Sequence, residues 1–191
     1  MEEEMQAERA WGPLMTEAER VLRQQFKAAC FAGRLAEAKA LVAEHGVQVA
    51  GGWEEFEAVV TDAAGCEGHL AVFQWAVAEH GVVVNGRSWK GWRSTGAICF
   101  DQACRSGHLH VCQWLVDQGV DPHDRLGCYP DREFRTAVKF RHWAIAWWLV
   151  QREPEYSAWP AKALAKLIAQ RWSPSRDVWM RSVVQSVLSY E

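Results

Sequence analysis

Two groups of residues in this 191-residue chain have the types and spacing to do chemistry. The first is Cys99, Cys104, His108 and Cys112, because thiolate and imidazole are the usual ligands of zinc. Their places in the chain give a plainer account. Cys104 and Cys112 fall at core positions of a repeated frame described below, Cys112 in the place that Phe73 holds one unit earlier. His108 is a recurrent turn histidine equivalent to His69. A buried free cysteine behaves as a small hydrophobe, so this set is expected to be structural and no metal is expected. The six cysteines are expected to be reduced, in a chain too large and too helical to need disulfides.

The second group mixes cations with aromatics. Arg87, Trp89, Lys90, Trp92 and Arg93 crowd into the connection 82–95, and His123, Arg125 and Tyr129 into the connection 121–130. Connections in compact domains have a median of about 4–6 residues, and longer ones are often functional. A loop has no structural need for two tryptophans unless something covers them, and Trp and Arg are enriched among interface anchors. These eight residues are therefore the expected partner contacts. The competing account has Trp89 and Trp92 folding back to glue the loops together. Catalysis has no comparable support: there is no nucleophile–base–orienter set, no Walker-type phosphate loop, no paired carboxylates and no His-Glu-x-x-His. The chain is expected not to be an enzyme and to need no cofactor or small-molecule substrate.

The elements that would position these loops are legible as a repeat. Ala28-Ala29-Cys30-Phe31-Ala32-Gly33-Arg34-Leu35 superimposes without gaps on 63–70 and on 102–109, and 137–143 follows the same frame with Arg141 in place of glycine. Gly33, Gly68, Gly107 and Arg141 are thus 35, 39 and 34 residues apart. In each unit a helix ends in small residues, a glycine stops it, and a second helix follows at once. The second helices carry apolar residues at helical spacing: Leu70, Phe73, Ala76 and Val77; Leu109, Cys112, Leu115 and Val116; Trp143, Ala146, Leu149 and Val150. No such pair can bury its stripe alone, so the units must stack. Helices are expected near 17–32, 35–45, 54–66, 70–80, 97–106, 109–118, 133–140 and 143–151. Leu70, Phe73, Leu109, Trp114, Leu115, Ile145 and Leu149 are the expected core.

The Gly-His-Leu turns at 68–70 and 107–109, with Phe73-Gln74-Trp75 or Cys112-Gln113-Trp114-Leu115 after them, resemble divergent ankyrin repeats of the kind found in algae, amoebae and giant viruses. The resemblance covers about residues 26–151. It departs from the ankyrin pattern in lacking the Thr-Pro-Leu-His start and the fourth glycine. The segment Arg171-Trp172-Ser173-Pro174-Ser175-Arg176-Asp177-Val178-Trp179 is similar to one that closes algal proteins of this kind. The resemblance implies an all-α, ankyrin-like α-solenoid of about four helix pairs. It further implies a non-catalytic protein–protein interaction scaffold that binds through finger loops and a concave face.

The remaining features set the ends and the rival readings. Residues 1–15 are expected to be a flexible acidic N-terminus, 16–151 the repeats and 152–191 capping helices, at about 161–171 and 174–189 behind Pro160 and Pro174. Thr16 and Glu19 have the spacing of a capping box. No apolar run reaches the roughly 18 residues of a membrane span, and the acidic start resembles no signal or transit peptide, so a cytoplasmic location is the default expectation and a membrane partner is not expected. Residues 1–80 carry 14 acidic and 6 basic side chains, net −8, whereas 125–191 carry 6 and 11, net +5. Cations beside aromatics also suit single-stranded nucleic acid. RNA contact, as a small subunit of a ribonucleoprotein, is the rival from another class. Twelve tryptophans against three tyrosines suggest a thin core filled mostly by indoles, with the remainder in contacts, and lean towards a permanent subunit of a larger assembly.

Overall fold

The computed structural model describes residues 16–86, 93–121 and 132–152, and these are all-α. They form eight α-helices: α1 (Glu17–Phe31), α2 (Leu35–His45), α3 (Trp53–Gly65), α4 (Leu70–His80), α5 (Thr95–Ser106), α6 (Leu109–Asp117), α7 (Arg132–Lys139) and α8 (Trp143–Arg152). A single 3-10 turn, Val47–Ala50, follows α2. Residues 1–15 and the helices expected at about 161–171 and 174–189 lie outside the described residues.

Local chemistry sets the helix ends. Thr16 and Glu19 form the expected capping box: Glu19 N donates to Thr16 Oγ1 at 3.2 Å, and Thr16 N donates to Glu19 Oε2 at 2.7 Å. Ser94 accepts from Ala97 N at 3.1 Å, so α5 starts two residues before the expected 97. Consecutive helices pack as pairs, α1 with α2, α3 with α4, α5 with α6 and α7 with α8. The first helices also pack in series, α1 on α3, α3 on α5 and α5 on α7. One apolar cluster runs through all four pairs, from Phe26 to Leu149. Phe26, Phe100 and Phe134 hold the same place in units one, three and four, and all are buried.

The buried face of the second helices is turned from the expected one. Phe73, Leu115, Ile145 and Leu149 are buried, but Leu70, Leu109 and Trp114 are only partly buried and pack on the edge of the cluster. The fully buried companions are Val72 and Val111, two residues after each leucine. The leucines occupy the first helical position, where the entering turn leaves one flank in solvent. Among the described tryptophans, Trp75 alone is buried, its Nε1 donating to Glu79 Oε2 at 3.0 Å. The described indoles therefore edge the core more than they fill it.

The turns between paired helices share one contact. His69 Nε2 lies 3.0 Å from Phe31 O, His108 Nε2 3.0 Å from Cys66 O and His142 Nε2 2.8 Å from Arg105 O. A carbonyl oxygen only accepts, so Nε2 bears the proton in each ring. Each histidine thereby ties its unit to the last turn of the preceding first helix. The ring also lies flat on the preceding unit's glycine: a Cβ on Gly33, Gly68 or Gly107 would fall 2.6, 2.6 or 2.5 Å from Nδ1 of His69, His108 or His142. These glycines have φ of 68°, 79° and 94°, so they are needed twice, for the left-handed backbone and for the ring beside it. Arg141 keeps the turn at φ 65° without glycine. A left-handed L-residue costs roughly 1–2 kcal/mol, partly offset by the entropy of a glycine in the unfolded chain. Arg141→Gly is therefore expected to stabilise the protein by about 1 kcal/mol, read as a higher urea midpoint.

Candidate interaction surface

The connection between α4 and α5 is anchored at a closed neck. Val84 O accepts from Gly96 N at 2.7 Å and Gly86 O accepts from Thr95 N at 3.1 Å, which pins together the two ends of the segment between them. Val82 and Val84 point into the core beneath, while Val83 is 62% exposed. Gly96 is required here by close approach, because a Cβ on it would meet Val120 and Val84 at 2.5 and 2.7 Å. Asn85 Nδ2 reaches across to Gln118 O at 3.0 Å, which ties this connection to the one that follows α6. Both loop bases are thus built from buried valines and backbone bonds. Arg87, Trp89, Lys90, Trp92, His123, Arg125 and Tyr129 lie outside the described residues.

Arg93 is described, and it corrects the expectation of a partner contact. Its side chain is 7% exposed and faces inward. Nη2 donates to Ala97 O at 3.1 Å and lies 3.5 Å from Glu133 Oε1, itself on a 6% exposed side chain. Arg93 therefore joins the third unit to the fourth from within. Burial pushes the Glu133 carboxyl above its ordinary range, while a backbone hydrogen bond and the Arg93 guanidinium act in the opposite direction. In units two and three the place of Glu133 is taken by Val60 and Cys99, both buried. An acid at a core position is tolerated here because a cation from the previous unit meets it.

Polar contacts also link the earlier first helices. Thr95 Oγ1 donates to Glu57 Oε1 at 2.5 Å, and Gln102 Nε2 donates to Asp62 Oδ1 at 2.5 Å, both between α3 and α5. Asp101 Oδ2 receives Arg105 and Arg132, each at 3.4 Å, the second from α7. The remaining oxygen of Asp101, Oδ1, is buried and has no hydrogen-bond partner among the described residues. Beyond these, Arg132, Arg135, Thr136 and Lys139 of α7 line a cavity of about 200 Å³.

The residues weighed as a zinc set have other surroundings. Cys104 Sγ is 3.8 Å from Cys112 Sγ in the core, Cys99 Sγ is 3.7 Å from Thr61 O, and His108 Nε2 is engaged by Cys66 O. Burial pushes the Cys99 and Cys104 thiols well up, and Cys30 to about 12, so these sulfurs stay protonated and unreactive at neutral pH. Among the described residues, no three His, Cys, Asp or Glu side chains gather as metal ligands, and no helix is long and apolar enough to cross a membrane.

No protein-family model matches this chain, and no curated protein matches it.

Proposed function

We propose that this chain is a non-catalytic protein–protein interaction scaffold, an ankyrin-like α-solenoid of four helix pairs with a permanent place in a larger assembly. The observation that supports this most is the contact made three times over, in which His69, His108 and His142 each join the preceding unit's helix end and rest on its glycine. A lock repeated at one position is what a stack of like units requires, since each unit buries its apolar face only against its neighbours. On this reading the two long connections are fingers on one edge of the stack, set on rigid valine-filled bases, and they carry the partner contacts. Asn85, at the base of the first connection, donates to Gln118 O at the end of α6, just before the second.

The test is native affinity recovery with and without Trp89→Ala and Trp92→Ala. Each truncation is expected to weaken partner binding on the order of tenfold or more, as for hot-spot aromatics, with the melting temperature nearly unchanged. Undiminished recovery together with a melting point several degrees lower would mean that the tryptophans pack internally.

A further inference from the structure

We infer that Arg34 and Arg141 are end marks, which close the histidine–glycine lock at four units and bar a further unit from joining in the same way at either end. The inference rests on the stacked reading given above. Each joint needs a glycine from one unit and a histidine from the next. The glycines are Gly33, Gly68 and Gly107, in units one to three, and the histidines are His69, His108 and His142, in units two to four. Every unit thus carries the halves that it uses, and arginine stands where a half would serve no neighbour.

At the first end the backbone is unchanged and only the side chain differs. Arg34 precedes α2 at φ −81° and ψ 68°, against −81° and 65° for His69 before α4 and −89° and 74° for His108 before α6. Those imidazoles reach back to the end of a preceding helix. The Arg34 guanidinium turns along its own helix instead, with Nη1 2.6 Å from Glu37 Oε2 and the side chain 52% exposed. At the last end the reason is steric. Arg141 holds φ 65°, beside 68° to 94° in the three glycines, so the turn itself is kept. A Cβ at those glycines would lie 2.5–2.6 Å from Nδ1 of the histidine that rests on each. Arg141 carries that Cβ, so a histidine laid on unit four in the same way would collide with it. Glycine would keep this turn with less strain, so arginine is the poorer residue for the turn and the effective one for a stop. End units of a stack differ from inner ones because they face no like neighbour. Four units leave three connections between them, so the marks also set the length of the surface that the proposed scaffold offers.

The experiment is urea unfolding of a lengthened chain, in which residues 108–141 are repeated once directly after Arg141. The first Arg141 then lies at an inner turn, and the unit beyond it brings His142 onto that turn. This chain is expected to unfold in two steps, the last unit first, because a unit without its joint loses its coupling to the stack. Replacing the inner arginine alone, Arg141→Gly, is expected to merge the two steps into one. A single step in both lengthened chains overturns the inference, because arginine would then be no bar. Two steps in both overturn it as well, because glycine would then not admit a unit. If neither lengthened chain folds, Gly107→Arg in the 191-residue chain carries the test by moving the mark one unit inward. Amide exchange in α7 and α8 is then expected to quicken on the order of tenfold, while α1 to α4 keep their rates. Equal quickening throughout, or none, overturns the inference. Its failure is separable from that of the stacked reading. Strong coupling between Gly68 and His108 with a tolerated inner Arg141 removes the end marks alone, whereas additivity at that pair removes the stack itself.

Discussion

Arg93→Ala is expected to destabilise the folded chain by about 3–5 kcal/mol, because it leaves Glu133 charged and without its cation inside the protein. The pH dependence has a definite sign. Burial already raises the Glu133 pKa in the folded state above its ordinary 4.5, so the folded form binds a proton more readily than the unfolded one. Stability owed to this group is present below the unfolded value and lost as pH rises through the folded value. Removing Arg93 removes an influence that lowers the folded pKa and so widens that window. The penalty of Arg93→Ala should therefore be largest near neutral pH and shrink as pH falls towards 4.5. Thermal melts of both proteins from neutral to acidic pH check this. A surface contact residue would behave differently, with reduced partner recovery and an unmoved melting point.

Leu115→Ala is the second large effect, expected to cost about 2–5 kcal/mol as for other buried leucines. For a chain of this length each kcal/mol lowers the melting temperature by roughly 2–4 °C, so a drop near 10 °C is expected. Leu115 lies in the cluster that joins the helix pairs, and α6 touches α8 as well as its own partner α5. The loss should therefore reach the neighbours, with faster amide exchange in α5 and α8 as well as α6. An unchanged melting point would mean that the register of the second helices is wrong.

The contrast between these residues explains what could be read from sequence. Leu115 belongs to a frame marked by glycines at fixed intervals, and that frame placed all eight helices to within two residues at either end. It works because helix stops are local: a left-handed turn needs a residue that tolerates it within one or two positions. The rotation of the second helices was not legible, since Leu70 and Val72 both suit an apolar face, and the entering turn decides which of them faces inward. Arg93 was misread for a different reason. Its neighbours Lys90 and Trp92 look like surface recognition residues, and its partner Glu133 lies 40 positions away in what reads as an ordinary acidic first turn. Pairing between units is a tertiary fact that no local pattern encodes. The buried Asp101 was hidden likewise, within a helix marked only by its place in the repeat.

Whether like helix pairs are locked in series by a histidine on a glycine is tested most directly by a double-mutant cycle on Gly68 and His108. Gly81 supplies the control, since it is left-handed at φ 73° and ψ 23° and, among the described residues, has nothing within 4 Å of an added Cβ. Gly81→Ala is expected to cost only backbone strain, roughly 1–2 kcal/mol. Gly68→Ala should cost more, about 3 kcal/mol, because its Cβ must also displace the His108 ring. His108→Ala should cost about 1 kcal/mol, since the hydrogen bond to Cys66 O disappears. With the ring gone, alanine at 68 carries strain alone, so the double variant should be more stable than the sum of the singles predicts by about 1–2 kcal/mol. Additivity of the two substitutions within about 0.5 kcal/mol would contradict the lock, and with it the stacked arrangement on which the proposed function rests.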